Sequence, residues 1–364
     1  MRHKSNSLKQ LALQKFKNNF WGVFSFYFII LVGFISVFAY VFSPDDSRYA
    51  NQMHLAIHSE RPGFTVMMLT IPSEFIGGQS GFDKLFFGKK NTETEIPISA
   101  FKIKDTVLMY KEYASDGLEG AEKNIKLNLF PNNSYKNFIN EKTFLLGTDK
   151  YGRDLLSRVL VGARISFFIG FVAVLIALLI GVFMGSVAGY FGGWVDALIM
   201  WVINVTWSIP TLLLVIAITL ALGKGFWQVF IAVGLTMWVE VARVVRGQII
   251  SAKEMQYVTA ARALGYNDFR IITKHILPNI MAPVIVISAA NFAAAILIES
   301  GLSFLGIGAQ PPMASWGAMI KDHYNYIILG KPYLAIIPGL CIMSLVMAFM
   351  LIGNALRDAL DVKG

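Results

Sequence analysis

Long uninterrupted apolar runs constrain this chain most, because a run of more than roughly 18 residues can cross a membrane as a helix. The first run extends from Phe20 to Phe42, and five further candidate spans cover residues 165–190, 197–222, 226–245, 280–298 and 333–354. Hydrophobic residues make up 55% of the 364 residues and charged residues only 15%. Soluble domains average about 25% charged residues. We therefore predict an all-α polytopic membrane protein with six transmembrane helices.

The basic residues predict the orientation of the chain, because cytoplasmic loops are enriched in Lys and Arg. Residues 1–19 contain basic but no acidic residues, and their apolar residues recur at helical spacing. The connection between the fourth and fifth runs contains only two acids, Glu254 and Asp268. Its basic residues are Arg243, Arg246, Lys253, Arg262, Arg270 and Lys274. Six spans place both termini on one side, so we predict that the termini and this connection are cytoplasmic.

The remaining segments are assigned from the positions of the runs. We predict a cytoplasmic amphipathic N-terminus (1–19), a first transmembrane helix (20–43), an extracytoplasmic insertion (44–146), an interfacial amphipathic helix (147–164), a core of five transmembrane helices (165–356) that contains a cytoplasmic loop (246–279), and a cytoplasmic tail (357–364).

Two stretches of the insertion are rich in β-forming residues and alternate between apolar and polar positions. They cover residues 98–110 and 124–129. This period of two is typical of strands, so we predict a small β-containing insertion between the first two spans. In the interfacial helix, Asp154 precedes Arg158 by four residues, a spacing that favours an ion pair on one helix face.

Small residues and prolines indicate how the spans pack and bend. In the second span a small residue stands at every fourth position, namely at Ala173, Ala177, Gly181, Gly185 and Gly189. Such a stripe lets another helix approach closely. Pro210 and Pro338 lie within the third and sixth spans, where proline breaks or bends a helix.

The chain lacks the motifs of several other function classes. No Gly-Lys pair belongs to the G-x-x-x-x-G-K-[ST] loop that binds ATP phosphates, and there is neither an H-E-x-x-H nor a G-x-S-x-G motif. His54 and His58 could share a helix face as metal ligands, but a solvated surface pair is the simpler interpretation. The net charge is +9, and the basic residues lie at helix ends. They do not form a basic patch with interleaved aromatic residues, so we predict no nucleic-acid partner.

The loop at 246–279 contains two short helical patterns. Residues from Tyr257 to Leu264 favour a helix that Gly265 ends, and Asn267 or Asp268 can cap a second helix that ends before Pro278. We expect the small side chains of Ala260 and Ala261 to be exposed, so that a partner protein could approach closely.

This loop resembles the EAA loop of ABC-importer permeases, E-A-A-x(3)-G-x(9)-I-x-L-P. Thr259-Ala260-Ala261, Gly265 and Leu277-Pro278 occupy its positions in register. Thr259 replaces the Glu and His275 replaces the Ile, which is similar to the variant of the dipeptide/oligopeptide/nickel branch. Residues 147–164 (G-T-D-K-Y-G-R-D-L-L-S-R followed by G-A-R) and residues 299–317 also resemble that branch.

The resemblance implies the type I permease fold of ABC importers and the role of the C-type permease subunit in a bacterial cytoplasmic membrane. The implied partners are a second (B-type) permease, one or two cytoplasmic ABC ATPase subunits that bind ATP and Mg, an extracytoplasmic substrate-binding protein and membrane lipid. The chain itself would bind no cofactor or metal and would not be an enzyme. The residues implied to contact the ATPase are Tyr257, Thr259, Ala260, Ala261, Arg262, Gly265, His275 and Pro278.

Polar residues in or near the spans are candidates for the substrate path, because polar side chains in membrane helices usually face a cavity or the bundle. These candidates are Trp207, Ser208, Asn291, Glu299 and Ser300. Structural hydrogen bonding would explain each of them equally well. The branch implies peptide import, with nickel or another small solute as the alternative substrate. An ion channel is a remote alternative, because it would show rings of charge or a filter motif and would not need an EAA loop. An intramembrane enzyme is equally remote, because it would need catalytic pairs that the sequence lacks.

Overall fold

The structure is a computed structural model that describes residues 8–72, 79–90, 93–114, 120–131, 135–223 and 225–360. The ends of the predicted N-terminus and tail, residues 1–7 and 361–364, lie outside the described residues. The helices are α1 Leu8–Asn18, α2 Phe20–Val37, α3 Ala39–Phe42, α4 Gly81–Phe87, α5 Leu155–Phe191, α6 Gly193–Trp207, α7 Thr211–Leu222, α8 Phe226–Lys253, α9 Gln256–Ala263, α10 Asp268–Arg270, α11 Met281–Phe304, α12 Trp316–His323 and α13 Tyr333–Leu360. The strands are β1 Phe64–Ile71, β2 Thr94–Lys104, β3 Val107–Glu112, β4 Glu122–Lys126 and β5 Ile139–Phe144.

The apolar helices confirm the predicted polytopic membrane fold. Within the described residues, five helices are long and apolar enough to span a membrane: α2, α5, α8, α11 and α13. The bent pair α6 and α7 provides a sixth span if it is counted as one. The chain divides into two compact units, a helical unit (Met1–Gly33, Ser166–Gln310 and Leu340–Gly364) and a sheet-containing unit (Phe34–Ile165 and Pro311–Gly339).

The prediction for Pro210 is confirmed, because α6 and α7 meet there at an angle of 94°. Proline lacks an N–H and restricts the residue before it, so α6 ends at Trp207 and a new helix begins at Thr211. Pro338 does not break its helix, and α13 runs on through it. Only five residues precede Pro338 in α13, so its missing N–H affects a bond near the helix start, where proline is better tolerated.

The stripe of small residues in α5 packs against α8, as predicted. A Cβ atom added at Gly185 would lie 2.5 Å from the carbonyl oxygen of Ala242 and 2.9 Å from Cβ of Val245. One turn earlier and one turn later, Gly181 and Gly189 lie equally close to α8 backbone. Close backbone approach of this kind gives van der Waals contact where lipid offers no hydrophobic driving force.

The start of α5 differs from the predicted interfacial helix at 147–164. Residues 147–154 are not helical, and a single helix runs from Leu155 to Phe191 because no proline interrupts it. Asp154 caps this helix by accepting a hydrogen bond from the backbone N–H of Ser157 at 2.8 Å. The predicted Asp154–Arg158 pair is therefore wrong. The guanidinium of Arg158 lies instead 3.8 Å from the buried carboxylate of Asp149.

The insertion contains a five-stranded antiparallel sheet in the order β4-β3-β2-β1-β5. One face of the sheet covers a core of Leu69, Ile98, Leu108, Tyr110 and Phe130. The sequence correctly indicated β structure but missed β1 and β5. The stretch at 98–110 is not one strand, because it turns at Asp105, whose φ of 54° lies in the left-handed region. Residues Leu127–Leu129 form a 3₁₀ turn and not a strand.

A partly buried ion pair joins two strands of this sheet. The ammonium of Lys142 lies 2.9 Å from the carboxylate of Glu95, and Nε2 of His54 lies 3.6 Å from it. Burial raises the pKa of Glu95, but His54 and Lys142 outweigh that effect and lower the pKa from 4.5 to about 2. The carboxylate form therefore stabilises the folded insertion.

The lowered pKa of Glu95 predicts a pH-dependent contribution to stability. The contribution is complete above the unfolded pKa of 4.5 and is lost as the pH falls toward about 2. We expect Glu95→Gln to destabilise the full-length chain by at most about 3 kcal/mol at pH 6, and by much less at pH 3. Calorimetry of both chains between these pH values measures the difference, with Glu141→Gln on an exposed position of β5 as the control. A difference that does not change with pH would contradict this account.

The packing of α5 on α8 predicts that Gly185 cannot be enlarged. Gly185→Leu should lower the unfolding midpoint of the detergent-purified protein, because overpacking costs about 1–3 kcal/mol and the nearest atom is a backbone carbonyl that no rotamer change can move. Gly247→Leu is the matched control on α8, since a Cβ atom there meets nothing within 4 Å. Thermal unfolding followed by fluorescence compares them, and equal midpoints would show that the helices do not pack as described.

Candidate functional site

The segment after α8 forms two short helical pieces around a glycine turn. Helix α8 continues to Lys253, so the first eight residues of the predicted loop at 246–279 extend this span. After a break at Glu254 and Met255, α9 covers Gln256–Ala263. A second helical piece follows from Asp268 to Asn279. We call residues 256–279 the coupling segment.

Gly265 ends α9 with a Schellman motif. Its φ is +76°, a left-handed conformation that costs little only for glycine. The N–H of Gly265 donates to the carbonyl of Arg262 at 2.9 Å, and the N–H of Tyr266 donates to the carbonyl of Ala261 at 3.2 Å. These two bonds satisfy carbonyls at the helix end and turn the chain sharply. The predicted stop at Gly265 is therefore confirmed.

One face of α9 is buried and the other is exposed. Val258 and Ala261 pack into the core of the helical unit, where both are less than 5% exposed. Tyr257, Thr259 and Ala260 lie on the exposed face. The expectation that Ala261 would be exposed is therefore wrong, because Ala261 lies three residues after Val258 and so shares its buried face.

Asn267 caps the second helical piece, as predicted, but the expectation that the piece ends before Pro278 is wrong. The side chain of Asn267 accepts a hydrogen bond from the N–H of Arg270 at 2.9 Å. The piece then passes through a π-helical turn at Ile271–Ile276 and a 3₁₀ turn at Leu277–Asn279, which contains Pro278. His275 stacks on the ring of Tyr266 with 5.5 Å between ring centres, which ties this piece to the glycine turn.

Tyr190, at the end of α5, holds the coupling segment. Its hydroxyl donates a hydrogen bond to the carboxylate of Asp268 at 2.6 Å. The guanidinium of Arg262 lies 5.5 Å from the centre of the Tyr190 ring. One side chain of α5 therefore contacts both helical pieces.

Two arginines of α8 bind helix α6. Arg246 forms a bidentate pair with Asp196, with N···O distances of 2.5 and 2.6 Å. Arg243 donates to the side-chain oxygen of Asn204 at 2.7 Å, and its guanidinium lies 3.7 Å from the centre of the Trp207 ring. Bidentate arginine pairs fix geometry strongly, so α6 and α8 are joined near the coupling segment.

The structure does not bring the five candidate path residues together. Trp207 lines a pocket of about 160 Å³ between α6, α7, α8 and α11, which none of the other four candidates lines. Ser208 is exposed, and its hydroxyl donates to the carbonyl of Val205 at 2.7 Å. The other three candidates lie on α11, where Asn291 is buried and Ser300 is half-buried.

Glu299 is buried and hydrogen-bonded within α11. It is 1% exposed within α11 and accepts a hydrogen bond from the hydroxyl of Ser303 at 2.7 Å. The hydroxyl of Ser166 lies 3.5 Å from its other carboxylate oxygen. Glu299 therefore does not cap the outer loop, because α11 continues beyond it to Phe304.

Sequence analysis missed Glu240, which lines the same pocket as Trp207. Glu240 is an exposed carboxylate within the apolar helix α8. An ionisable residue inside a predicted span is itself a signal for a functional site, and that signal would have found it.

The described part of the chain contains no group of three or more His, Cys, Asp or Glu side chains that could hold a metal ion. His54 is buried beside Glu95, whereas His58 is exposed. The two histidines flank a 3₁₀ turn and do not share an α-helical face.

Known proteins resemble the part of the chain that contains the coupling segment. The family described as "Binding-protein-dependent transport system inner membrane component" matches residues 177–363. The dipeptide transport system permease protein DppC of Bacillus subtilis (strain 168) is 45% identical over 217 residues, which are 60% of this chain and 68% of that protein. The glutathione transport system permease protein GsiD of Pectobacterium atrosepticum is 41% identical over 218 residues, which are 60% of this chain and 72% of that protein.

Among solved structures, the inward-facing MetNI methionine ABC transporter is 16% identical with a TM-score of 0.46, covering 56% of this chain and 95% of the other. The family match covers more than half of the present chain, and its residues include the whole coupling segment. The chain therefore belongs to the family of binding-protein-dependent transport system inner membrane components, the permease subunits of ABC importers.

Proposed function

We propose that this permease imports peptides and that the coupling segment transmits the force of partner ATPases. The observation that carries the second part is the exposed surface of the segment. Leu264 is 72% exposed and Phe269 is 76% exposed, on either side of the Gly265 turn. Exposed large apolar side chains at a rigid turn favour contact with another protein.

The charges support a cytoplasmic location for this surface. The segment and the end of α8 carry more basic than acidic residues, which is typical of cytoplasmic loops. With an even number of spans, both termini would be cytoplasmic and residues 44–146 would be outside. The docking contacts would come from Tyr257, Thr259, Ala260, Arg262 and Gly265, with Ala261 supporting them from the buried face and with His275 and Pro278 in the second helical piece.

The partners of the proposed importer would supply the ATP hydrolysis and the substrate delivery that this chain does not provide. It has no phosphate-binding loop in its sequence, so ATP and Mg would be bound by one or two ATPase subunits and the chain itself would be non-catalytic and bind no cofactor. A B-type permease would complete the path, and an extracytoplasmic binding protein would deliver the substrate. Peptide is the proposed substrate because the relatives are named for dipeptide and for glutathione, which is itself a small peptide.

Uptake of labelled peptides and nickel by cells that lack this chain tests which substrate the permease imports. We expect such cells to lose uptake of labelled peptides from a ladder of di- to hexapeptides, and to recover it with the intact gene. Radioactive nickel is measured in the same cells. Unchanged peptide uptake with lost nickel uptake would overturn the peptide assignment and leave the permease assignment intact.

The Gly265 turn predicts that a substitution there uncouples peptide uptake from ATP hydrolysis. Gly265→Asp places a side chain at φ +76°, which costs about 1–2 kcal/mol, and adds a charge to the docking surface. We expect peptide uptake to fall at least about tenfold while the protein remains in the membrane. Gly330→Asp is the matched control, because Gly330 has the same φ and equal space around its Cβ position. Full uptake by the Gly265 variant would contradict the docking role.

The contact between Tyr190 and Asp268 predicts a milder defect. Tyr190→Phe removes one hydrogen bond to a charged group, worth about 1.5–3 kcal/mol, and leaves the ring in place. We expect the transporter to hydrolyse more ATP per peptide imported, because the coupling segment is held less firmly to α5. ATPase activity and uptake are measured together in proteoliposomes, with Tyr27→Phe at an exposed position of α2 as the control. An unchanged ratio would show that this contact does not transmit force.

A further inference from the structure

Glu240 is a carboxylate inside a membrane-spanning helix and is exposed on the surface of this chain. It lies fourteen residues after the start of α8 and thirteen before its end at Lys253, one turn before Arg243. A charge within a span is costly if it faces lipid, and such residues almost always face a water-filled cavity or a pathway. The position of Glu240 therefore indicates a polar space beside α8.

That space is the pocket shared with Trp207. Its polar lining comes from Glu240, Thr206, Trp207, Thr211 and Thr236. The apolar lining is Ile209, Leu214, Met237, Val239, Ala294 and Ile298. The volume of about 160 Å³ is below the roughly 300–1,000 Å³ of typical ligand pockets. It therefore fits one end of a peptide and not a whole peptide.

Two threonine hydroxyls of this pocket have only lone pairs left for another partner. The hydroxyl of Thr206 donates to the carbonyl of Val202 at 2.9 Å, and that of Thr236 donates to the carbonyl of Val233 at 2.9 Å. Each hydroxyl has a single proton, so both oxygens turn only lone pairs to other partners. Together with the carboxylate of Glu240, they favour a group that carries several N–H donors and a positive charge.

The basic residues next to Glu240 on α8 have other partners, although Nε of Arg243 is buried without a hydrogen bond. Arg243 binds Asn204 and stacks on Trp207, and Arg246 is paired with Asp196. Among the described residues, no ion pair to Glu240 is formed. The negative charge of Glu240 thus remains available to a ligand.

We propose that Glu240 binds the N-terminal ammonium of a peptide as the peptide passes through the permease. This inference rests on the proposed peptide import and adds the residue that recognises one end of the substrate. The ammonium has three donors, which match the carboxylate and the two threonine oxygens. Glu299 cannot have this role in the same way, because it is buried and accepts from Ser303.

Equilibrium binding to the assembled permease–ATPase complex tests the proposal without the binding protein, which would select peptides by itself. The probes are radiolabelled trialanine and N-acetyl-trialanine, in which acetylation removes the ammonium. We expect the wild-type complex to bind trialanine about tenfold more tightly than the acetylated peptide, as for loss of one charged hydrogen bond. Glu240→Gln should bind both peptides equally, and Glu240→Asp should keep part of the preference.

The ratio of the two affinities does not depend on how much complex is purified. Glu141→Gln in the insertion is the matched control and should keep the wild-type ratio. Equal binding of the two peptides by the wild-type complex, no binding at all, or an unchanged ratio in Glu240→Gln would overturn the role of Glu240. Those outcomes would leave peptide import standing if cells that lack this chain lose peptide uptake, whereas unchanged uptake in those cells would overturn the proposed function itself.

Discussion

The close approach of α5 and α8 positions the functional elements of the helical unit. At Gly181, Gly185 and Gly189, a Cβ atom would lie only 2.5–2.8 Å from a backbone carbonyl of α8. A glycine faces α8 at each of three successive turns, so the two backbones can touch. Close contact of this kind is how helices gain packing energy in lipid. Because this contact reaches the end of α5, Tyr190 lies within hydrogen-bond distance of Asp268 in the coupling segment.

Helix α8 connects the coupling segment to the pocket. It carries Glu240 in its middle, binds α6 through Arg243 and Arg246, and is followed after two residues by α9. A rigid helix that contacts other elements along its length can transmit a displacement from one end to the other. A partner that moves α9 would thus also move the carboxylate of Glu240 and the bent α6–α7 pair. Coupling and substrate recognition would then use the same element.

The sequence predicted the coupling segment well because its structure depends on local causes. Gly265 ends α9 since only glycine tolerates its backbone conformation, and Asn267 caps the next helix with its own side chain. Predictions that depended on neighbours fared worse. Ala261 is buried by the core of the helical unit, and Asp154 caps α5 and does not pair with Arg158. Spacing along one helix could not reveal either contact.

The sequence by itself determined the number and place of the apolar helices, the bend at Pro210 and the family to which the chain belongs. The helices depend on the length of apolar runs, the bend depends on one residue's backbone chemistry, and the family depends on the motif from Thr259 to Pro278. Only the tertiary structure decided which acid faces a pocket. Glu299 and Glu240 both stand in apolar helices, but packing buries the first against Ser303 and leaves the second open beside Trp207. Burial is set by residues far away in sequence, so no local pattern distinguishes the two.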